Sequence, residues 1–272
     1  MQTKQVERHV EVSKGVVEMA DAHCHLDLMS DWSLVTDSIN SGVSTIITDS
    51  VDTKSAMRVF EMMDNRHVFG AVGIDPGHVM AMDDASIDAE LDFIAKMIVQ
   101  RAREVVAIGE IGLDYRISGT TSGIARQKKV FGRLLDIAAE LRLPASIHAR
   151  EAIGDVLKII DDRGFSRAHL HFFEGDEKEA KLAERLGCTV SVPPVESGRR
   201  KRVIKAFPIE GIMAESDSPV VGESPKSVEV SIRMVAQAKG ISFESAAEKL
   251  TDNVKRFFSI HSKSYSAGLM RY

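Results

Sequence analysis

The chain has 272 residues, 44% of them hydrophobic, and a formal net charge of −5. This mild acidity disfavours a protein that holds long nucleic acid on a basic surface, because that mode of binding needs excess positive charge. Its two cysteines are too few for a disulfide framework, and no apolar run approaches the roughly 18 residues of a membrane span. The polar N-terminal segment does not resemble a signal peptide, so the sequence favours a cytoplasmic protein that contacts no membrane.

Short β-branched runs alternate with helical patterns along the chain. We predict eight strands, at Val16–Ala20, Ser44–Ser50, Val68–Gly73, Val105–Ile108, Ala145–Ile147, Ala168–His171, Thr189–Val192 and Gly211–Ala214. Many of these runs are continuously apolar, as in parallel strands that helices cover. Between them, apolar residues spaced three and four apart predict helices over Ile87–Arg103 and 125–142, and Ser224-Pro225 predicts a helix start with a stop at Gly240.

Eight strands, seven crossovers and a helical C-terminal segment predict an α/β fold, a single (β/α)₈ TIM barrel. An open doubly wound sheet is disfavoured because no Gly-rich phosphate-binding turn follows the first strand. No internal repeat or linker divides the sequence. We therefore expect one domain over residues 1–272, with its core at about residues 18–260.

Two histidines stand at the end of the first predicted strand, in Asp21-Ala22-His23-Cys24-His25. Side chains two residues apart on a strand point to the same face, so His23 and His25 can bind one cation. Such a short motif also occurs in ordinary loops. The interpretation as a metal site therefore depends on further ligands elsewhere in the chain.

Those further ligands follow other predicted strands, and they are Glu110, His148, His171 and Asp217. Barrel enzymes keep their active sites at the carboxyl ends of the strands, and unpaired ionisable side chains are costly to bury as mere packing. Six ligands exceed the needs of one tetrahedral site, so we predict two divalent cations with Glu110 between them. Imidazole and carboxylate ligands suit Mg²⁺, Mn²⁺ or Zn²⁺.

The segments DAHCHLD, AIGEIGLDY, LPASIHAR, HLHFFEG and AESDSP, in this order, resemble the TatD family of metal-dependent deoxyribonucleases, a branch of the amidohydrolase-like barrels. The resemblance covers roughly residues 18–260 and implies phosphodiester substrates, often at the ends of DNA. It also implies two metal sites, one formed by His23, His25, Glu110 and Asp217 and the other by Glu110, His148 and His171.

The chain departs from the family pattern after the third strand, where Gly73-Ile74-Asp75-Pro76 replaces the usual Gly-x-His-Pro. An ionised Asp75 would repel a substrate phosphate, so this departure bears on the choice of substrate. His78 is a candidate replacement for the missing histidine.

Several residues near the predicted ligands are candidates for catalysis or substrate binding. Glu110 and Asp217 are the predicted catalytic residues, with Asp217 as the general base. For substrate binding the candidates are His78, Asp114, Tyr115, Arg116 and Arg150, and the last four are equally compatible with ordinary loop residues. Glu215 either orients a ligand histidine or forms an exposed ion pair. We interpret His169 as structural and expect it to point out of the barrel.

The basic run Arg199–Arg202 either guides a polyanion to the site or forms a solvated helix face. Two other functions stay open. One is an amidohydrolase that cleaves a lactone or amide, although such barrels commonly use a carboxylated lysine where this chain has Glu110. The other is a metal-binding module without enzymatic activity, which the complete ligand set disfavours. The sequence does not indicate an oligomeric state.

Overall fold

The computed structural model describes residues 15–260 and contains eight parallel strands that alternate with helices. The strands are β1 (Met19–Cys24), β2 (Val43–Asp49), β3 (Val68–Ala71), β4 (Ile108–Asp114), β5 (Ala145–Arg150), β6 (Ala168–Leu170), β7 (Thr189–Val192) and β8 (Ile212–Ala214). The helices are α1 (Ser33–Asn40), α2 (Thr53–Met62), α3 (Pro76–Ala81), α4 (Asp84–Gln100), α5 (Tyr115–Ser118), α6 (Thr121–Leu141), α7 (Ile153–Asp162), α8 (Glu177–Arg185), α9 (Gly198–Ala206), α10 (Val228–Lys239) and α11 (Phe243–Phe257).

The eight strands form two hydrogen-bonded groups, and backbone hydrogen bonds also join these groups at both seams where they meet. Strands β1 to β3 pair in parallel, as do β4 to β8, and each neighbour is the next strand in the chain. At one seam, the Val72 N–H donates to the Ala107 carbonyl at 3.2 Å. At the other, the Asp217 N–H donates to the His23 carbonyl at 3.0 Å. The eight strands therefore form the predicted (β/α)₈ barrel.

Apolar side chains fill two layers, one on each side of the barrel wall. Ile46 packs in a large buried cluster with residues of the surrounding helices, and its neighbour Ile47 belongs to a second cluster. Because adjacent strand residues point to opposite faces, this second cluster fills the inside of the barrel. Its members are Ala20, Ala22, Ile47, Phe69, Ala71, Ala107, Met213, Val254 and Phe258. The barrel interior is thus a packed core with its polar groups at one end.

Six strand predictions agree with the structure to within a few residues, but two are displaced. The first strand runs over Met19–Cys24 instead of Val16–Ala20, and the fourth over Ile108–Asp114 instead of Val105–Ile108. Both predictions end where polar residues begin, because an apolar run was the signal. In the barrel, these polar residues find partners on other strands and loops, as Asp21 does in Ser216, so the strands continue through them. Glu110 consequently lies inside β4 and does not follow it.

The predicted helices are present. Ile87–Arg103 corresponds to α4, and 125–142 to α6. The start predicted at Ser224-Pro225 is a 3₁₀ turn that leads into α10, and Gly240 ends this helix in the left-handed conformation (φ 69°). Among residues 15–260, no helix is long and apolar enough to span a membrane. The cytoplasmic location and the single-domain organisation stay predictions.

Candidate metal centre

The six predicted ligands come together at the carboxyl end of the barrel. Three of them lie in strands, namely His23 in β1, Glu110 in β4 and His148 in β5. The other three follow strands, namely His25 after β1, His171 after β6 and Asp217 after β8. Five of them are buried and His148 is half-buried. This is the end at which barrel enzymes hold their active sites.

One set of ligand atoms surrounds Oε2 of Glu110. The Nε2 atoms of His23 and His25 are 3.3 Å apart, and Glu110 Oε2 is 3.7 Å from the first and 3.3 Å from the second. Asp217 Oδ1 is 4.0 Å and 3.7 Å from the same two nitrogens. In a tetrahedral site with bonds of about 2.1 Å, ligand atoms lie about 3.4 Å apart. The spacing of this set is therefore suitable for one cation.

A second set surrounds the other oxygen of Glu110. Its Oε1 is 2.8 Å from His148 Nδ1 and 3.0 Å from His171 Nε2, and these two nitrogens are 3.2 Å apart. The two oxygens of one carboxylate thus face two different pairs of histidines. Such an arrangement suits a carboxylate that bridges two cations.

The protonation states of the cluster are set by its own members. Burial would raise the pKa of Glu110, but His171 and His148 hold it well below its usual value. Burial, together with His171 and His25, lowers the pKa of His23 well below its usual value. The rings of His23 and His171 are stacked at 3.8 Å, an arrangement that disfavours two positive charges. A neutral imidazole beside an ionised carboxylate is the form that binds metal.

His148 differs from His23 in its charge. Burial alone would lower the pKa of His148, but hydrogen bonds to Asp114 and Glu110 raise it to about 10. A metal that binds His148 must therefore displace a proton near neutral pH. The proton on His148 now supplies the positive charge beside Glu110. A divalent cation bound there would supply that charge instead, so the ligands fit a divalent cation.

Glu215 lies behind the ligand His171, on the side of its Nδ1 atom, and holds the loop that carries it. It is fully buried, and it accepts hydrogen bonds from the Phe172 N–H at 2.7 Å and the Ser191 hydroxyl at 2.6 Å. Its Oε2 is 4.0 Å from His171 Nδ1. Burial, reinforced by Asp217, raises the pKa of Glu215 well above its usual value. The interpretation as an exposed ion pair is therefore wrong, and Glu215 fixes the loop that carries His171.

His169 is structural, as interpreted, but its predicted direction is wrong. Residues 169 and 171 are two apart on the chain, so their side chains share a face. His169 is fully buried, its Nε2 is 2.8 Å from the Ser191 hydroxyl, and its ring packs edge-on against Phe257 and Phe258. Phe258 belongs to the interior cluster. The side chain thus points into the barrel and separates its apolar core from the polar end.

Asp21 and Asp49 are two buried carboxylates that sequence reasoning did not assign to the site. Asp21 accepts hydrogen bonds from the Ser216 N–H at 2.8 Å and the Ser216 hydroxyl at 2.5 Å. This contact joins β1 to the loop that carries Asp217. Asp49, the last residue of β2, contacts His23 and His25. Its position, a carboxylate that ends an apolar strand, is the same signal that identified the predicted ligands.

The predicted substrate residues differ in their surroundings. Asp114 Oδ2 is 3.4 Å from His148 Nε2, at the edge of the cluster. The Tyr115 hydroxyl donates to Asp155, which also pairs with Lys128. Arg116 and Arg150 are exposed. Their role in substrate binding stays a prediction.

His78 does not take the place of the missing family histidine in the cluster. Its Nε2 is 2.8 Å from Glu90 on α4, and its Nδ1 is 3.8 Å from Asp52. Asp75 is close enough to Glu110 to feel its charge, and burial together with repulsion from Glu110 raises the pKa of Asp75 to about 6.

A parallel barrel with histidines and carboxylates at the carboxyl ends of its strands defines the class of metal-dependent α/β-barrel hydrolases. The family model described as "TatD related DNase" matches residues 20–259. The chain therefore belongs to the TatD family of metal-dependent hydrolases, as its motifs predicted.

Individual relatives agree with this family. The chain is similar to human "Deoxyribonuclease TATDN3", with 28% identity over 260 residues, covering 89% of this chain and 95% of the relative. It is also similar to an "Uncharacterized metal-dependent hydrolase" of Methanocaldococcus jannaschii, with 25% identity and coverage of 89% and 97%. Among solved structures, a TatD homologue from Escherichia coli matches with a TM-score of 0.80 and 22% identity, covering 89% of this chain and 98% of that one. This last match supports the barrel fold.

Proposed function

We propose that this protein hydrolyses phosphodiester bonds in DNA, at strand ends, with two divalent cations. The observation that carries the proposal is the position of Glu110, whose two carboxylate oxygens face separate pairs of histidines at 2.8–3.7 Å. One cation would be held by His23, His25, Glu110 and Asp217 and the other by Glu110, His148 and His171. Bound Mg²⁺, Mn²⁺ or Zn²⁺ would supply Lewis-acid stabilisation of the attacked ester and lower the pKa of a water molecule.

Asp217 is the residue that we propose as the acceptor of the proton of the attacking water. It lies in the left-handed region (φ 48°), and its backbone N–H and C=O are held by the His23 carbonyl at 3.0 Å and the Val221 N–H at 2.8 Å. This fixed backbone directs the carboxylate towards the two histidines of β1. Because one Asp217 oxygen faces these histidines, the other is available to the water, as a general base requires.

A positive charge near the mouth supports an anionic substrate. Within the basic run, Arg200 is buried and its guanidinium carbon is 5.3 Å from the ring centre of Phe172, the residue after His171. Arg199 and Arg202 are exposed on the same helix. Arg200 adds positive charge near the loop that carries His171 and can attract an anion, although its guanidinium also donates to the Val195 carbonyl and Arg202 is paired with Glu177.

The substrate class also rests on the relatives, since the human protein similar to this chain is named a deoxyribonuclease. The occupant of the bridging position is a glutamate, Glu110, whereas the lactone- and amide-cleaving alternative commonly uses a carboxylated lysine. We therefore favour a phosphodiester over a lactone or amide.

The test is digestion of 3′-end-labelled single-stranded DNA by metal-loaded protein. Wild type should shorten the strand stepwise, and a chelator should stop the reaction. Glu110→Ala should lose this activity, while Glu104→Ala, which removes an exposed glutamate paired with Arg101, should retain it. A metallated wild type that leaves DNA intact but cleaves a lactone or amide would refute the proposal. Inertness towards every ester and amide tested would favour the non-enzymatic module.

A further inference from the structure

Asp49 is a buried carboxylate that is neither a predicted metal ligand nor a predicted catalytic residue. It ends β2, its exposed fraction is 0%, and neither side-chain oxygen makes a hydrogen bond of good geometry in the described part of the chain, although Oδ2 lies 3.2 Å from His23 Nδ1. Leaving a carboxylate unpaired in a protein interior is unfavourable by several kcal/mol in general, so such a group needs an explanation.

Both histidines of the His-x-His motif meet Asp49 through their Nδ1 atoms. His23 Nδ1 is 3.2 Å from Asp49 Oδ2, and His25 Nδ1 is 3.1 Å from the backbone carbonyl oxygen of Asp49. The Nε2 atoms of the same two rings are 3.3 Å apart on the other side, where they face Glu110. One residue therefore contacts both rings on the side away from the candidate cation.

The carboxylate of Asp49 occupies space that the missing side chain of Gly109 leaves open. A Cβ atom on Gly109, the residue before Glu110, would lie 2.6 Å from Asp49 Oδ1 and 2.6 Å from the Cβ of Ser146. The absence of a side chain at Gly109 thus leaves the space that Asp49 fills. Ser146 is the competing partner, because its hydroxyl oxygen lies 3.2 Å from His23 Nδ1 with the geometry of a hydrogen bond, whereas Asp49 Oδ2 lies at the same distance without that geometry.

We propose that Asp49 is the positioning residue of the His-x-His pair. Its carboxylate accepts the Nδ1–H of His23 and its backbone carbonyl accepts the Nδ1–H of His25. Both rings are thereby held in the tautomer that presents Nε2 to one cation. A carboxylate or carbonyl behind a metal-binding histidine fixes the orientation of the ring and raises its basicity. This inference rests on the proposed two-metal function, and it assigns a residue outside the six predicted ligands.

The contacts predict different effects on the two histidines when the carboxylate is changed. Asp49→Ala removes the acceptor of His23 but keeps the backbone carbonyl that holds His25. Asp49→Asn keeps an oxygen at similar reach and loses only the charge. Loss of such a partner typically weakens metal binding about 10–100-fold. We expect this loss in Asp49→Ala and a smaller one, about 10-fold or less, in Asp49→Asn.

The experiment measures the zinc dissociation constant by chelator competition and the ring N–H signals of ¹⁵N-histidine-labelled, zinc-loaded protein. The variants are Asp49→Ala, Asp49→Asn and Ser146→Ala, with thermal unfolding as the check of folding. Wild type should show two protected ring N–H signals for His23 and His25. In Asp49→Ala the His23 signal should be lost or strongly shifted while the His25 signal stays. Ser146→Ala should keep both signals and bind zinc within about threefold of wild type, well short of the loss at Asp49.

Unchanged zinc affinity and an unchanged His23 signal in the Asp49 variants would overturn the role of Asp49. If Asp49→Ala does not fold, the same two readouts in the near-isosteric Asp49→Asn decide the question. A Ser146→Ala protein with the larger loss would assign the role to Ser146 and also overturn the proposal. A folded wild type that binds no zinc, manganese or magnesium would instead contradict the proposed function itself.

Discussion

Replacing Asp75 by asparagine should stabilise the metal-free protein at neutral and alkaline pH. Asp75 caps α3, with its Oδ1 accepting the His78 N–H at 2.7 Å, and asparagine is an equally good helix cap. Burial and repulsion from Glu110 raise the pKa of Asp75 from 3.8 to about 6. The folded state therefore holds a proton on Asp75 that the unfolded state has released between these two pH values.

The magnitude follows from this difference in pKa. At about 1.4 kcal/mol per pH unit, ionising Asp75 in the folded protein costs about 3 kcal/mol once the pH exceeds 6. Because Asp75 is only partly buried, solvent reduces this figure, and we expect about 1–3 kcal/mol. Stability from the neutral form is present below pH 4 and is lost as the pH rises through 6. The free energy of unfolding of Asp75→Asn should therefore exceed that of the wild type by the largest amount at pH 8 and by the smallest amount at pH 4.5.

The assay is urea unfolding at pH 4.5 and pH 8 with chelator present, since a bound cation would offset the charge of Asp75. Asp83→Asn is the matched control, because Asp83 caps α4 in the same way through the Ser86 N–H at 2.9 Å. The hydrogen bonds of this exposed cap lower the pKa of Asp83, so its substitution should not stabilise the protein at pH 8. An Asp75→Asn gain that is equal at both pH values would refute the reasoning.

Three further predictions concern the site and its support. Asp217→Asn should reduce the turnover of DNA by about 10²–10⁴-fold, measured on metal-saturated protein, and full activity would exclude Asp217 as the general base. Metal uptake at pH 7 should release about one proton from His148, whose pKa is about 10, and calorimetry in two buffers of different ionisation enthalpy counts this proton; the affinity should also fall as the pH is lowered. Ser191→Ala removes the hydroxyl 2.6 Å from Glu215 and should lower the free energy of unfolding by about 1–3 kcal/mol in urea titrations. An unchanged free energy of unfolding would contradict this prediction and indicate that the buried carboxylate finds another donor.

The barrel and its ligand cluster were predictable because each depends on a periodic or repeated signal. Apolar runs located the wall of the barrel, and histidines and carboxylates recurred at the ends of several predicted strands. The same signal failed at β1 and β4, where the predictions stopped before Asp21 and Glu110. Polar residues ended the runs, and only the closed barrel reveals their partners, which are Ser216 for Asp21 and the ligand histidines for Glu110.

Single carboxylates were harder to assign than histidines. Asp49 ends β2, but the prediction placed it inside the strand Ser44–Ser50, and an aspartate at the end of a strand is also an ordinary turn residue. Its contact with His23 joins residues 26 positions apart, and no local pattern in the sequence encodes that distance. His78 shows the opposite case, because its closeness in sequence to Asp75 suggested a place at the site, whereas its Nε2 lies 2.8 Å from Glu90 on α4.

The number of divalent cations per chain tests the central claim most directly. Metal-free protein is titrated with Zn²⁺ or Mn²⁺, and bound metal is counted after removal of excess ion. Wild type should bind two equivalents, and Glu104→Ala should also bind two. Glu110→Ala should bind fewer than two, because Glu110 contributes to both sites. Saturation of the wild type at one equivalent, or two equivalents retained by Glu110→Ala, would contradict the two-metal account.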